Sequence, residues 1–282
     1  MPPIPRNRRD YIARDTLRRS FSIIAETSKQ GASAHSTFIP EQLPSLDQTD
    51  CPDPFGTPVR VEVVNSDTLA VARKLLSDDG EAIGNVAALN LADDIRPAGS
   101  WLLHDMPELR QEECLCYSST LYVTLKDTYY PFPNVGPDSA VGIYSPGVVI
   151  FRDQLENACA DLPVDQRRVV SVISVAAPRW PQLSSNGKFY RRHSDLEDLR
   201  EKIRLVYRVA AYNEKRYLIL GAMGCGAYGN PPEQVAREMR DILMESEFRG
   251  WFKKIVFAVL STTNNERGNF EVFRDTFAGV RI

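Results

Sequence analysis

Apolar positions along the chain change their period several times, and each change marks an element. Between residues 8 and 28, Tyr11, Ile12, Leu17, Phe21 and Ile24 recur at roughly helical spacing, which predicts a first helix. From Ser28 to Pro58 the pattern breaks down. Pro40, Pro44, Pro52, Pro54 and Pro58 punctuate a polar stretch, and an irregular arm is expected there. Val59–Val64 then reads as a strand and Asp67–Leu76 as a helix that Ser66 or Asp67 can cap. Ile83–Ala92 has the continuous apolar character of a buried strand. A helix is expected to start near Asp105, with Pro107 tolerated in its first turn. Val141–Phe151 holds strand pieces broken at Pro146, and Val169–Ala177 is another buried strand. The remainder reads as a helix over Ser194–Tyr212, a strand over Tyr217–Ala222, a helix over Pro232–Met244, a strand over Ile255–Leu260 and a helix over Asn269–Phe277. Strands alternating with helices argue an α/β/α sandwich with a largely parallel sheet.

Composition narrows the function classes. A net charge of −3 does not recommend general nucleic-acid binding, although it leaves room for a local cationic cleft. No apolar run reaches the roughly 18 residues of a membrane span, and the basic first residues lack the apolar core of a secretory signal. Five cysteines, an odd number without a disulfide framework, point to a reducing compartment, so an intracellular protein, cytoplasmic or nuclear, is expected. Cys114 and Cys116 are too closely spaced for the usual paired-thiolate zinc site, and His35, His104 and His193 stand far apart, so no metal is expected.

Two segments carry chemistry. In Leu218–Pro232 a buried strand runs into Gly221, Gly224, Gly226 and Gly229, and a helix follows Pro231 and Pro232. Glycine lets the backbone turn left-handed and approach a ligand, and successive N–H groups leading to a helix N-terminus form an anion cradle. The spacing is neither that of a dinucleotide fingerprint nor that of a P-loop, and a tight strand-to-helix connection would use the same glycines. In Leu89–Glu113 a strand ends at Asn90–Asp93, a turn holds Pro97 and Gly99, and a helix carries Gln111, Glu112 and Glu113. Adjacent carboxylates on a helix point about 100° apart, so one can aim at a substrate while the other orients a sugar hydroxyl. Burial and a like-charged neighbour both raise a carboxyl pKa and suit a general acid, whereas the same pair on an exposed helix is a solvated acidic patch.

Taken together, these segments resemble the microbial-type poly(ADP-ribose) glycohydrolases. The likeness rests on the strand end Leu89-Asn90-Leu91-Ala92-Asp93, the turn Pro97-Ala98-Gly99-Ser100, the triplet Gln111-Glu112-Glu113 and the loop Gly221-Ala222-Met223-Gly224-Cys225-Gly226-Ala227-Tyr228-Gly229-Asn230. Two further segments, VVNSDTLAVARKL and GIYSPGVVIFRD, extend it to roughly residues 57–280. The resemblance implies a macrodomain-like three-layer α/β/α sandwich with a mixed, largely parallel sheet over 57–282, preceded by an accessory segment over 1–56. It implies hydrolysis of the ribosyl O-glycosidic bond of poly- or mono-ADP-ribose, with a non-catalytic ADP-ribose reader as the alternative. Glu113 would be the general acid/base and Glu112 would bind ribose hydroxyls. Gln111, Asp93, Asn90, Gly99 and Ser100 would belong to the substrate site, Gly224, Cys225, Gly226, Ala227 and Tyr228 would hold the diphosphate, Tyr228 would stack on the distal ribose, and Asp67 would contact the adenine side. The resemblance implies no cofactor and no metal, and the partner expected is ADP-ribose or an ADP-ribosylated macromolecule, acted on by a monomer.

The first loop departs from that pattern. Ala98 and Ser100 replace two glycines, the spacer Trp101–Arg110 is long, and Asp93 replaces an asparagine. An alanine is awkward where positive φ is needed, and a carboxylate near a diphosphate repels it unless protonated or turned away.

Overall fold

The computed structural model describes residues 5–103, 110–261 and 268–282. Among these residues seven strands occur: β1 (Thr37–Ile39), β2 (Val61–Val64), β3 (Val86–Leu91), β4 (Gly142–Ile150), β5 (Arg168–Val175), β6 (Tyr217–Leu220) and β7 (Lys254–Ala258). They form one sheet in the order β1-β4-β5-β3-β6-β7-β2. From β5 to β2 every pairing is parallel, while β4 and β1 are antiparallel additions at one edge. The parallel strands are apolar on both faces, as strands covered by helices on both sides must be: Ala87, Ala88, Val172, Ile173, Leu218, Ile219 and Ile255 are all buried. Full burial of a Val, Leu or Ile side chain contributes about 1.5–3 kcal/mol.

Among the described residues six helices cover the sheet: α1 (Arg6–Glu26), α2 (Thr68–Asp78), α3 (Gln111–Ser118), α4 (His193–Tyr212), α5 (Pro232–Leu243) and α6 (Asn269–Thr276). Helices α2 and α3 lie against β3, with α1 on α3. Helix α4 packs on β5, α6 packs on β2, and α5 lies between α4 and α6. This is the α/β/α sandwich with a mixed, largely parallel sheet.

The Pro-rich arm is not wholly irregular. Within it β1 pairs with β4, Thr37 opposite Tyr144 and Ile39 opposite Gly142. Three residues are too few for a period to show. The break expected at Pro146 is a register shift between Ser145 and Val148, and β4 runs through it. The preceding chain lies so close there that a Cβ on Gly147 would stand 2.5 Å from the carbonyl oxygen of Gly31 and from the amide of Ser33. Helix α1 joins the main core through Ile12 and Ala13. Arg152, at the end of β4, donates to the carbonyl of Ile12 at 3.1 Å and to the Thr16 hydroxyl at 2.6 Å. The helix start expected near Asp105 lies outside the described residues, but the helix that carries the Gln111-Glu112-Glu113 triplet starts only at Gln111, after an extended Arg110.

Candidate active site

The site lies at the carboxyl ends of β3, β5 and β6, where open α/β sheets place their ligands. Helix α3 begins over the end of β3 because its first residue is fastened there. The Gln111 side chain accepts from the Leu91 amide at 2.9 Å, and donates to the Leu89 carbonyl at 2.8 Å and to Thr68 on α2 at 3.2 Å. This fixes Glu112 and Glu113 in the first turn, where the exposed N–H groups of a helix favour negative charge.

Glu112 points back at the strand. Its Oε1 accepts from Asn90 Nδ2 at 2.9 Å and its Oε2 from the Asp93 amide at 2.9 Å. Asn90 also reaches Ser174 of β5 at 3.0 Å, the residue opposite it in the sheet. Burial pushes the Glu112 carboxyl up to about 8, against the pull of those two donors, and the charges of Asp93 and Glu113 push the same way. Glu113, 3% exposed, faces the turn of the first loop. Burial raises its pKa as well, while backbone N–H groups of Arg110 and Ser100 and the charges of Arg110 and Arg9 lower it. Its Oε1 has no hydrogen-bond partner among the described residues, and neither do Asn90 Oδ1 and the Tyr130 hydroxyl. These are the polar atoms that a bound sugar could satisfy.

The altered first loop fits here without losing its turn. Ala98 takes the left-handed conformation a glycine would take, with φ of +54°, and Gly99 follows at +53°. Asp93 is turned and neutralised. Its Oδ1 accepts from the amides of Ile95 and Arg96 at 2.8 and 3.2 Å, while its Oδ2 stands 3.4 Å from both Arg110 and Arg179. The repulsion expected of a carboxylate at this position is therefore offset by two guanidinium groups.

The glycine loop comes from the other side. A Cβ on Gly224, at φ +72°, would stand 2.4 Å from Asn230 Nδ2 and 2.5 Å from Ala177 Cβ, so only glycine fits. Asn230 ties the loop by donating to the carbonyls of Pro178 and Gly224 at 2.8 and 3.1 Å, and Tyr190 donates to its Oδ1 at 2.5 Å. Among the described residues the amides of Gly226, Ala227 and Tyr228 have no acceptor, whereas those of Cys225 and Gly229 bond within the loop. A Cβ on Gly226 would meet nothing within 4 Å, and Gly226 and Ala227 are exposed. The Cys225 thiol is raised by burial and donates weakly at 3.6 Å to the Met223 carbonyl.

Tyr228 joins the two segments. Its hydroxyl donates to Asp94 Oδ1 at 2.6 Å, accepts from the Asp94 amide at 3.3 Å and accepts from Arg179 at 2.7 Å. Arg179 closes the triangle on Asp94 at 2.5 Å and lies over the Tyr228 ring, 4.6 Å from its centroid. The structure therefore brings Asn90, Asp93, Gln111, Glu112, Glu113, Gly99, Ser100 and the Gly224–Tyr228 loop into one site. Asp67 is close by as the cap of α2, accepting from Leu69 and Ala70 at 2.8 and 3.0 Å. Of its two sequence readings the structure displays the capping one.

Four residues escape sequence reasoning. Asp94 had a signal in standing next to Asp93 at a strand end, and Arg179 in following the end of β5. Arg9 had none. It lies on α1, buried, with its Nε unpartnered among the described residues and its charge felt by Glu113 and Tyr117. Tyr130 is held by its neighbour Phe132, whose amide donates to the Asp94 carbonyl at 3.0 Å.

The model of the catalytic domain of microbial-type PARG matches residues 7–153. Among solved structures, poly(ADP-ribose) glycohydrolase from Thermomonospora curvata is 27% identical with a TM-score of 0.75, over 95% of this chain and 98% of the other. The same enzyme bound to the inhibitor ADP-HPD is 26% identical with a TM-score of 0.74, over the same shares of the two chains. A mutant of the Deinococcus radiodurans poly(ADP-ribose) glycohydrolase in complex with ADP-ribose is 32% identical with a TM-score of 0.64, over 78% of this chain and 85% of the other. No curated protein matches the sequence. With a family model spanning more than half of its length and with these structural relatives, the chain belongs to the microbial-type poly(ADP-ribose) glycohydrolase family.

Proposed function

We propose that this protein hydrolyses the ribosyl O-glycosidic bond of poly(ADP-ribose) and releases ADP-ribose, with Glu113 as general acid/base. The observation that carries this reading is the buried carboxyl pair at the start of α3. One member is anchored by one hydrogen bond to each oxygen, from Asn90 and from the Asp93 amide, while the other keeps an unpartnered oxygen. The relatives' complexes with ADP-ribose and with ADP-HPD support ADP-ribose as the ligand.

The geometry is compatible with the following roles. The amides of Gly226, Ala227 and Tyr228 hold the diphosphate. Tyr228, buried with Arg179 over its ring, is assigned to the distal ribose. Glu112 accepts from ribose hydroxyls, and Asp67 stands on the adenine side. Protonated Glu113 gives its proton to the glycosidic oxygen as the bond from the anomeric carbon breaks, and an oxocarbenium-like sugar forms. The resulting carboxylate takes a proton from water as that water's oxygen bonds to the anomeric carbon, and the acid is restored. Five unpaired thiols fit a reducing, intracellular setting.

The test is a hydrolysis panel over poly(ADP-ribose), a mono-ADP-ribosylated protein and an ADP-ribosylated oligonucleotide. Wild type is expected to release ADP-ribose from the polymer. Glu113→Gln is expected to lose about 10²–10⁴-fold in kcat while still binding ADP-ribose. Unchanged turnover in that variant removes Glu113 from the mechanism, and binding without turnover by the wild type makes the protein a reader.

A further inference from the structure

Trp180, just after β5, has no part in the mechanism above. It is 68% exposed, yet it is firmly held. Its amide donates to the Tyr228 carbonyl at 2.9 Å and its indole Nε1–H to the Ala227 carbonyl at 2.9 Å. Its φ is +48°, a left-handed conformation disfavoured for a bulky L-residue. A large ring has thus been fixed in strained backbone and left open to solvent. Neighbouring Arg179, which joins Asp94 to Tyr228, lies 5.6 Å from the ring centroid.

Strand order and hydrogen bonds say where along the site this ring lies. Along the carboxyl edge of the parallel strands the order is β2, β7, β6, β3, β5. Asp67 follows β2, the diphosphate loop follows β6, and the carboxyl pair stands over β3. Trp180 follows β5, on the opposite side of β3 from β6, and its hydrogen bonds to Ala227 and Tyr228 set it at the Tyr228 end of the glycine loop, beside the residue assigned to the distal ribose. In poly(ADP-ribose) the leaving oxygen belongs to the ribose of the next adenosine, so an adenine and a diphosphate lie close beyond it. The segment after β5 suits both. Between Pro178 and Ser194 it carries Arg179, Lys188, Arg191 and Arg192 and neither Asp nor Glu. Lys188, Arg191 and Arg192 are exposed.

We propose that Trp180 is a stacking platform for the adenine of the next ADP-ribose unit, with Lys188, Arg191 and Arg192 supplying the positive field for its diphosphate. The subsite rests on the glycohydrolase reading. It makes the protein prefer a polymer to a single ADP-ribose on a side chain lacking a base. Stacking on an aromatic platform is a general way of holding bases without reading their identity.

The experiment compares the dissociation constants of ADP-ribose and of its dimer, two units joined by the ribosyl bond, on the Glu113→Gln protein, which does not consume them. The dimer is expected to bind about tenfold tighter, the range of a single base stack. Adding Trp180→Ala closes that gap, while Trp180→Phe, which keeps a ring but loses the same indole N–H to Ala227, preserves most of it, so the ratio of the two affinities separates stacking from any change in the loop. A gap unchanged by Trp180→Ala, or no gap to begin with, overturns the subsite. So does an ADP-ribosylated oligonucleotide that binds tighter than the dimer through Trp180, which would assign the ring to nucleic acid. Failure to bind ADP-ribose at all would instead strike the glycohydrolase reading.

Discussion

On the β3–α3 side of the site, side chains hold side chains. Asn90 reaches Glu112 and Ser174, Gln111 bridges α3 to β3 and α2, and Asp93 is wedged between two arginines. On the β6–α5 side the backbone itself is the device, and its shape depends on having no Cβ at Gly224. The difference explains where the sequence departs from its family. The first side absorbs Ala98 and Ser100 in place of glycines, because Gln111 and Glu112 are held by a polar network and the turn, which keeps its left-handed shape at Ala98, still offers the Ser100 amide to Glu113. The glycine loop has no such reserve. Its sequence keeps the family's form through Asn230.

That contrast can be broken most severely at Gly224. Gly224→Ala puts a methyl group within 2.5 Å of Asn230 and Ala177 at a positive φ, and an unfolding titration is expected to show a loss of about 2–4 kcal/mol together with loss of ADP-ribose binding. Gly226→Ala, where a Cβ meets no atom, should leave stability within about 0.5 kcal/mol and weaken only binding. If both variants behave alike, the two glycines do not have the separate roles assigned to them.

Next in size is Asn90→Ala, which leaves Glu112 short of one donor and Ser174 short of another. Calorimetry should find a loss of about 1–3 kcal/mol, with kcat reduced more than affinity. An affinity loss alone would mean that Asn90 serves the ligand and not the carboxyl pair.

A smaller effect follows from pH. Burial raises the folded-state pKa of Glu112 from 4.5 to about 8, so the folded protein holds a proton that the unfolded chain releases. The stability contributed by protonated Glu112 is whole below the unfolded value and is lost as pH rises toward the folded one. Wild-type Tm is expected to fall across that window, with a flatter slope in Glu112→Gln. Glu113 is raised too, so kcat/KM should decline on the alkaline side as the acid loses its proton. An equally steep Tm slope in both proteins would place the titrating group elsewhere.

The smallest change is expected from Ala98→Gly. Relief of left-handed strain is opposed by loss of a buried methyl and by a floppier unfolded chain, so stability should stay within about 1 kcal/mol and turnover should be unaffected. A large loss of activity would show that the turn matters more than the polar network.

Much of this was legible because period and punctuation agree. The alternation of buried strands and amphipathic helices announced the sandwich, and Pro231 and Pro232 marked the start of α5. The Gln111-Glu112-Glu113 triplet and the glycine loop could be read because each is continuous in sequence. What could not be read was assembled at long range. The bond between Arg179 and Asp94 spans 85 residues, and that between Tyr228 and Asp94 spans 134. Strand β1 is three residues inside a proline-rich stretch, and its pairing depends on the edge that β4 presents. Arg9 sits on a helix whose visible pattern concerns its apolar face, and only the docking of α1 on α3 brings its charge to Glu113.

The account depends on α3 and the glycine loop gripping one ligand. A crystal structure of Glu113→Gln with ADP-ribose tests this most directly. The diphosphate is expected on the amides of Gly226, Ala227 and Tyr228, with the distal ribose between Glu112 and the Tyr228 ring and the side chain at position 113 against the anomeric carbon. A diphosphate bound away from that loop, or an anomeric carbon out of reach of position 113, would contradict it.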